Sequence, residues 1–424
     1  MERRSFFRAV GGALAALQSD AIERVRAAAK SVDGRSPDEI ARDEDFWFRV
    51  RHAFTIDRNI INLNNGSVSP SPQVVQDAMR HYLDVTNMQP AYYVDEYLIP
   101  QIERVRSRLA AAFGCDPEEM AVTRNTSESL AIVQYGLDLK AGDEVLTTTQ
   151  DYPSMLMNWG QRARRDGIVL KTIAFPVPPP SLDDLYERFE RAITPRTKVI
   201  LFCHMTYTTG QIFPVKRICR MARERGIQTI VDGGHTFAQF PFTRDDLACD
   251  YYGTSLHKWL TAPIGTGFLY VRRENIPRVW ALMGSTQDMT NDIRKFEHIG
   301  TAPVANKNAI TEALNFHESL GAERKAARLR YLRERWSRRV EKLPGVKILT
   351  SYDPEQGCAL GGMSIASVDA DKLVDFLMQK HRIHVRARHV PGEYSCIRVT
   401  PNVYTTLEEV DTFSAAIEEA ARGV

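Results

Sequence analysis

Thr197-Lys198-Val199-Ile200-Leu201-Phe202, followed by Val215 to Arg225, Gly226, and Ile227 to Val231 ending on Asp232, is the stretch that decides the fold. Its first run is β-branched and apolar, as a strand buried on both faces must be. A polar Thr/Gly loop follows. Between Val215 and Arg225, Ile218, Met221 and Ala222 mark one helix face, and Gly226 is the expected helix terminator. The second apolar run completes a strand, crossover helix and strand. That order places Asp232 at the carboxyl edge of a parallel sheet, where ligands of such folds bind.

The same alternation of strand-like and helical runs extends from about Ala121 to Val271, which predicts an α/β domain built on a mainly parallel sheet. Pro176-Val177-Pro178-Pro179-Pro180 fits neither element, because proline lacks the backbone donor that both need, and reads as a stiff linker. After about Pro303 the pattern changes to long helices, a strand-like Ile397 to Val399, and a terminal helix from Leu407. The expected division is a helical arm over 21–57, a large domain over 58–303 and a smaller α/β domain over 304–424. No internal repeat is present, so a solenoid is not expected.

Composition narrows the function. The chain has 424 residues, 43% hydrophobic and 25% charged, with 55 Lys plus Arg against 53 Asp plus Glu, so nothing favours a nucleic-acid partner over a small molecule. The basic run Glu323 to Lys342 carries Ala326, Leu329, Leu332, Trp336 and Val340 at helical spacing and reads as a solvated amphipathic helix. Six scattered cysteines form no metal-ligand spacing, so no metal is expected. Beyond the N-terminus no segment is long and apolar enough to span a bilayer. Residues 1–20, with Arg3-Arg4-Ser5-Phe6-Phe7-Arg8 ahead of an apolar Ala9 to Leu17, resemble a twin-arginine export signal. A periplasmic or exported location is the expectation and a cytoplasmic one the alternative, in which this segment is the basic start of an amphipathic helix.

Three sites carry chemistry. Lys258 lies in Ser255-Leu256-His257-Lys258-Trp259, followed by the Gly-rich Gly265-Thr266-Gly267. A lysine becomes a nucleophile when burial or neighbouring cations lower its pKa; taken alone, this one reads more readily as a surface or ion-pairing residue, and its partners reverse that reading. Asp232, in Val231-Asp232-Gly233-Gly234-His235, suits a carboxylate that keeps a ring nitrogen protonated, or one that caps the next helix. Asn125-Thr126-Ser127-Glu128-Ser129 opens a helical run and offers hydroxyls and N–H groups to a phosphate, although the same residues read as a capping box.

In that order and at those separations, the three segments resemble the class V aminotransferase family of fold-type I pyridoxal 5'-phosphate (PLP) enzymes, and within it the isopenicillin N epimerase-like branch. Asn62-Leu63-Asn64-Asn65-Gly66 and His204 through Gly210 extend the resemblance, which covers roughly 58–415. It implies a large domain with a mainly parallel sheet, a smaller C-terminal α/β domain, and a homodimer. It implies that Lys258 carries PLP as a Schiff base and shuttles protons, that Asp232 pairs with the ring nitrogen, and that His235 meets the phenolic oxygen. Thr126, Ser127, Ser255 and His257 are implied to hold the phosphate, Thr301 to complete that site in a partner subunit, and Tyr152 to stack on the ring. Arg398, with Asn64, is implied to hold the substrate carboxylate.

The departures are informative. Desulfurases of this family carry a nucleophilic Cys after a Val-Arg segment, whereas Val385-Arg386-Ala387-Arg388-His389-Val390-Pro391 has none, and Cys396 sits in the strand. Tyr207 stands where relatives often have a small polar residue. The expected activity is therefore transamination or epimerisation of an amino acid or amine. C–S or β-elimination lyase chemistry is the alternative, and a non-catalytic PLP-fold binding module the rival of another class. A nicotinamide enzyme is disfavoured, since no G-x-G-x-x-G opens a helix after a strand.

Overall fold

The computed structural model describes residues 20 to 423, so the expected export signal, apart from its last residue, lies outside the described residues. Seven strands form the main sheet: β1 (Met120–Thr123), β2 (Glu144–Thr148), β3 (Val169–Ile173), β4 (Thr197–Cys203), β5 (Gln228–Asp232), β6 (Tyr251–Ser255) and β7 (Gly267–Val271). Their order is β1-β7-β6-β5-β4-β2-β3, and only β7 runs against its neighbours. Side-chain alternation explains why the central strands are apolar throughout. On β4, Ile200 and Phe202 enter one core while Val199 and Leu201 enter the other, on the opposite face.

The deciding stretch folds as the sequence predicts. The helix Val215–Glu224 buries Val215, Ile218, Cys219, Met221 and Ala222, and Gly226 follows it at φ +69°, a conformation that glycine adopts without steric cost. Register then sets the site. Cys203 on β4, Asp232 on β5 and Gly253 on β6 are direct partners, so Asp232 ends its strand at the sheet's carboxyl edge.

A second, antiparallel sheet has the order β10-β11-β9-β8, with β8 Val346–Ile348, β9 Gly361–Ile365, β10 Arg386–Val390 and β11 Tyr394–Val399. Helices Ala370–His381 and Leu407–Ala420 contribute Leu373, Leu377, Phe413 and Ile417 to its core. Ile61–Asn62, near the start of the expected large domain, pairs in parallel with Ile383–His384 beside this sheet. Helices Val304–Asn308 and Ile310–Leu320, beyond the expected division at 303, contribute Val304, Ile310 and Leu314 to the core of the larger unit.

The basic helix, Ala322–Val340, is not the solvated element that its charges imply. It packs between Pro37–Ala41 and Leu407–Ala420 and buries Lys325, Arg328 and Arg333 with its apolar stripe. These cations are tolerated because each meets an acceptor from elsewhere in the chain: Lys325 the Trp259 carbonyl, Arg328 Glu44, and Arg333 the Ser351 carbonyl. Among the described residues no helix is long and apolar enough to cross a membrane.

Candidate active site

A cavity of about 260 Å³ opens at the carboxyl edge of the main sheet, where the larger unit meets β10 and β11. One end is built on a helix start. Asn125 caps the helix Thr126–Gly136 by accepting from the Glu128 N–H at 2.8 Å. The Thr126 N–H donates to Ser255 Oγ at 2.9 Å, and the two hydroxyls lie 2.7 Å apart. Ser127 and His257 line the same cavity. Burial holds His257 at about 4, so its ring is neutral near pH 7, and its Nδ1 is buried with no partner among the described residues. Hydroxyls, a neutral imidazole and a helix N-terminus together suit a phosphate.

Lys258 and Asp232 face this end. Burial lowers the Lys258 amine to about 8; Arg398 and Arg388 add to the shift and Asp232 opposes it. Its Nζ lies 3.3 Å from His235 Nε2, and His235 is itself kept neutral by burial and by Lys258. Burial likewise pushes Asp232 up to about 6, against the pull of the Gly234 N–H, which donates to Oδ1 at 2.9 Å. A cation placed against this carboxylate would be strongly favoured in so dry a setting.

The remaining wall belongs to the smaller unit. Arg398 on β11 is buried and donates to the Tyr207 carbonyl at 3.1 Å, to Asn64 Oδ1 at 2.8 Å and to Ser67 Oγ at 2.7 Å. Asn64 therefore does not stand at the substrate as expected: its carboxamide holds Arg398 from behind, and it is absent from the cavity lining. Tyr152 lines the cavity with its ring edge-on to Tyr207 at 5.3 Å. Thr301 is not brought to the site by its own chain; it lies exposed on a loop bordering a different groove.

Several lining residues were missed from the sequence: Gly66, Ser67, Met155, Cys203, Met205 and Arg388. Ser67 and Gly66 are delivered by pairing with the far end of the chain, which leaves no local signal. Arg388 did leave one. It alternates with Arg386 in a strand-like run, a segment read only for a missing cysteine.

The residues present fit PLP. There is one depressed amine for its aldehyde carbon, one buried carboxylate for its ring nitrogen, and a donor set for its phosphate. Close backbone approach is built in as well: a Cβ on Gly234 would come within 3.0 Å of Asp232 Oδ1 and Thr126 Oγ1 and 3.4 Å of Lys258 Nζ.

The comparisons agree with this reading. The family model described as aminotransferase class-V matches residues 61–413. The isopenicillin N epimerase of Streptomyces clavuligerus is 30% identical over 394 residues, spanning 88% of this chain and 98% of that protein. Among solved structures, the apo cysteine desulfurase of Thermococcus onnurineus NA1 superposes with a TM-score of 0.77 at 23% identity, covering 88% and 98% of the two chains. A lysine-to-alanine mutant of C-DES, with glycine covalently linked to its PLP cofactor, superposes with a TM-score of 0.76 at 22% identity, covering 87% and 99%. C-DES is a cystine C–S lyase.

Proposed function

The chain belongs to the class V aminotransferase family and is a PLP-dependent enzyme, and from that premise we propose that it epimerises an amino acid by moving the proton at Cα. The observation that carries the proposal is one cavity lined by a depressed amine, Lys258, by Tyr152, and by the buried Arg398, which has no carboxylate partner among the described residues. PLP, when bound, draws electrons from the bond that breaks at the substrate Cα. Asp232 holds the ring nitrogen in its charged form, and Thr126, Ser127, Ser255 and His257 hold the phosphate. Arg398 receives the substrate carboxylate through its remaining N–H donors, with Asn64 and Ser67 holding Nη2 in place. Lys258 takes the Cα proton on one face, and the Tyr152 hydroxyl returns one on the other.

Desulfurase-type chemistry needs a readily ionised thiol, and Cys203, the one thiol among the described residues lining the cavity, is held by burial well above the usual thiol range. The Val-Arg segment is strand β10, and the Cys396 thiol is buried and pushed up to about 12 by that burial. Transamination shares the first proton removal and differs in where the proton returns. Incubating the PLP-loaded protein with an amino-acid panel in deuterated water separates the two. Epimerisation predicts Cα deuterium with loss of optical purity and no keto acid; stoichiometric keto acid would show transamination instead. Replacing Tyr152 with Phe is expected to slow inversion by about a hundredfold or more while Lys258-side exchange continues. Equal loss of both would remove Tyr152 from the role.

Two further parts of the reading are proposals. The active species is a homodimer in which Thr301 of one chain reaches the phosphate site of the other. Residues 1–20 direct export, which a fusion of that segment to a reporter active only outside the cytoplasm would test.

A further inference from the structure

The cavity holds a second arginine that the reaction above does not use. Arg388 on β10 faces Cys396 across the hairpin, and Arg398 faces Arg386. Arg388 and Arg398 are thus diagonal neighbours on one face of the antiparallel pair, about 7–8 Å apart and somewhat closer at Cβ. Both line the cavity, and Asp232 is the one carboxylate among its described lining residues.

Arg398 is fully buried and Arg388 half-buried, and three of the buried arginines elsewhere meet carboxylates. Arg106 meets Glu297 and Glu103, Arg162 meets Asp166 at 2.6 Å, and Arg328 meets Glu44 at 2.5 Å. Neither Arg388 nor Arg398 has a carboxylate within reach among the described residues, and the Nε of each is buried without a partner. Arg388 does rest over the Tyr207 ring, 5.5 Å from its centroid. That contact engages the face of the guanidinium and leaves its N–H fork free. Two unpaired cations side by side on one wall cost free energy unless an anion joins each. The substrate α-carboxylate answers for Arg398 alone.

Arg388 also stands at a boundary. With Tyr152 and Tyr207 it separates the inner cavity from an outer one of about 430 Å³, bordered by Arg386, His389 and Asp371. The Asp371 carboxylate is already engaged by His389 at 3.1 Å, so it does not answer Arg388. A side chain reaching from the inner cavity toward the outer one would pass between Arg388 and the two tyrosines.

We propose that Arg388 receives a second carboxylate, carried on the substrate's side chain, so that the site selects amino acids with an acidic side chain. The proposal rests on the reading of Arg398 as the α-carboxylate anchor. Its test is calorimetric titration of the PLP-loaded protein with succinate, glutarate and adipate, against butyrate, which carries one carboxylate. The expected result is that the best dicarboxylate binds about tenfold or more tightly than butyrate, the size of one charge-assisted hydrogen bond. In Arg388→Gln that preference should fall to within about twofold, and in Arg388→Lys much of it should survive, since the charge remains. Thermal melting of each variant establishes that it folds. A preference that persists undiminished in Arg388→Gln, or is missing from the wild type, overturns the proposal. Arg398→Gln keeps the two readings apart. If it leaves butyrate binding intact, the α-carboxylate assignment fails by itself, while the Arg388→Gln comparison still judges the second anchor.

Discussion

Lys258 illustrates how one residue's surroundings set a measurable behaviour. Its amine titrates near 8 in the fold, against 10.5 for an ordinary lysine, because burial penalises the charged form. About a tenth of it is therefore neutral at pH 7, and nearly all of it above pH 9. Attachment of PLP to cofactor-free protein, trapped with borohydride, should accelerate through pH 7 and 8 and level off above about 9. A rate that keeps climbing to pH 10 would identify an ordinary exposed amine. The same shift carries a stability consequence of definite sign. The unfolded chain binds more protons than the folded one between about 8 and 10.5, so the cofactor-free protein should gain stability as pH rises through that window. Lys258→Met should flatten the gain, and denaturant midpoints at pH 8 and pH 10 would show it. Arg398 makes a second prediction at this scale. Arg398→Ala should weaken amino-acid binding by about 2 kcal/mol or more and leave a simple amine much less affected. Equal losses for the two ligands would refute the carboxylate role.

Among the elements, the helix Thr126–Gly136 is positioned by glycines on the strands beneath it. A Cβ on Gly267 would lie 2.6 Å from the Thr254 carbonyl and 2.8 Å from the Asn125 backbone, and neither can swing aside as a side chain can. Gly267→Ala should therefore cost about 1–3 kcal/mol of stability. It should also weaken PLP binding, because Asn125 caps the helix whose N-terminus meets the phosphate; unchanged affinity for PLP would uncouple the two. This element also shows what a sequence can carry. The helix start near Thr126, the Asp232 strand and the Lys258 loop were legible because each is specified by its own neighbours, although the cap is Asn125 and not Thr126 or Ser127 as the local pattern implied. The support of Arg398 was not legible, since its partner Asn64 lies 334 residues away and arrives through the Ile61–Asn62 pairing. The basic helix misled for a related reason. Local charge implied solvent, while the groups that receive Lys325, Arg328 and Arg333 come from Trp259, Glu44 and Ser351.

The whole molecule divides the site between its two sheets, with Lys258 and Asp232 from one and Arg388 and Arg398 from the other, and it leaves Thr301 away from the cavity. Thr301 borders a groove lined by Ile99, Ile102, Met289, Ile299 and Val304, which shares no lining residue with the Lys258 cavity. Ile99 is 48% exposed, and other large apolar side chains stand in water as well, Met88 at 69% and Trp280 at 76%. Exposed apolar surface of this kind is characteristic of a covered interface, and a second copy of the chain is the occupant that would make Thr301 useful. Sedimentation of the wild type should give twice the chain mass. Ile99→Asp places a charge in that groove and should yield monomers that bind PLP at least about tenfold more weakly, the scale of one lost hydrogen bond to a charged group. Thr301→Ala should remain dimeric and show a similar loss. A monomeric Ile99→Asp protein with wild-type affinity for PLP would mean that each chain completes its own phosphate site, and the dimer would then have no part in holding the cofactor.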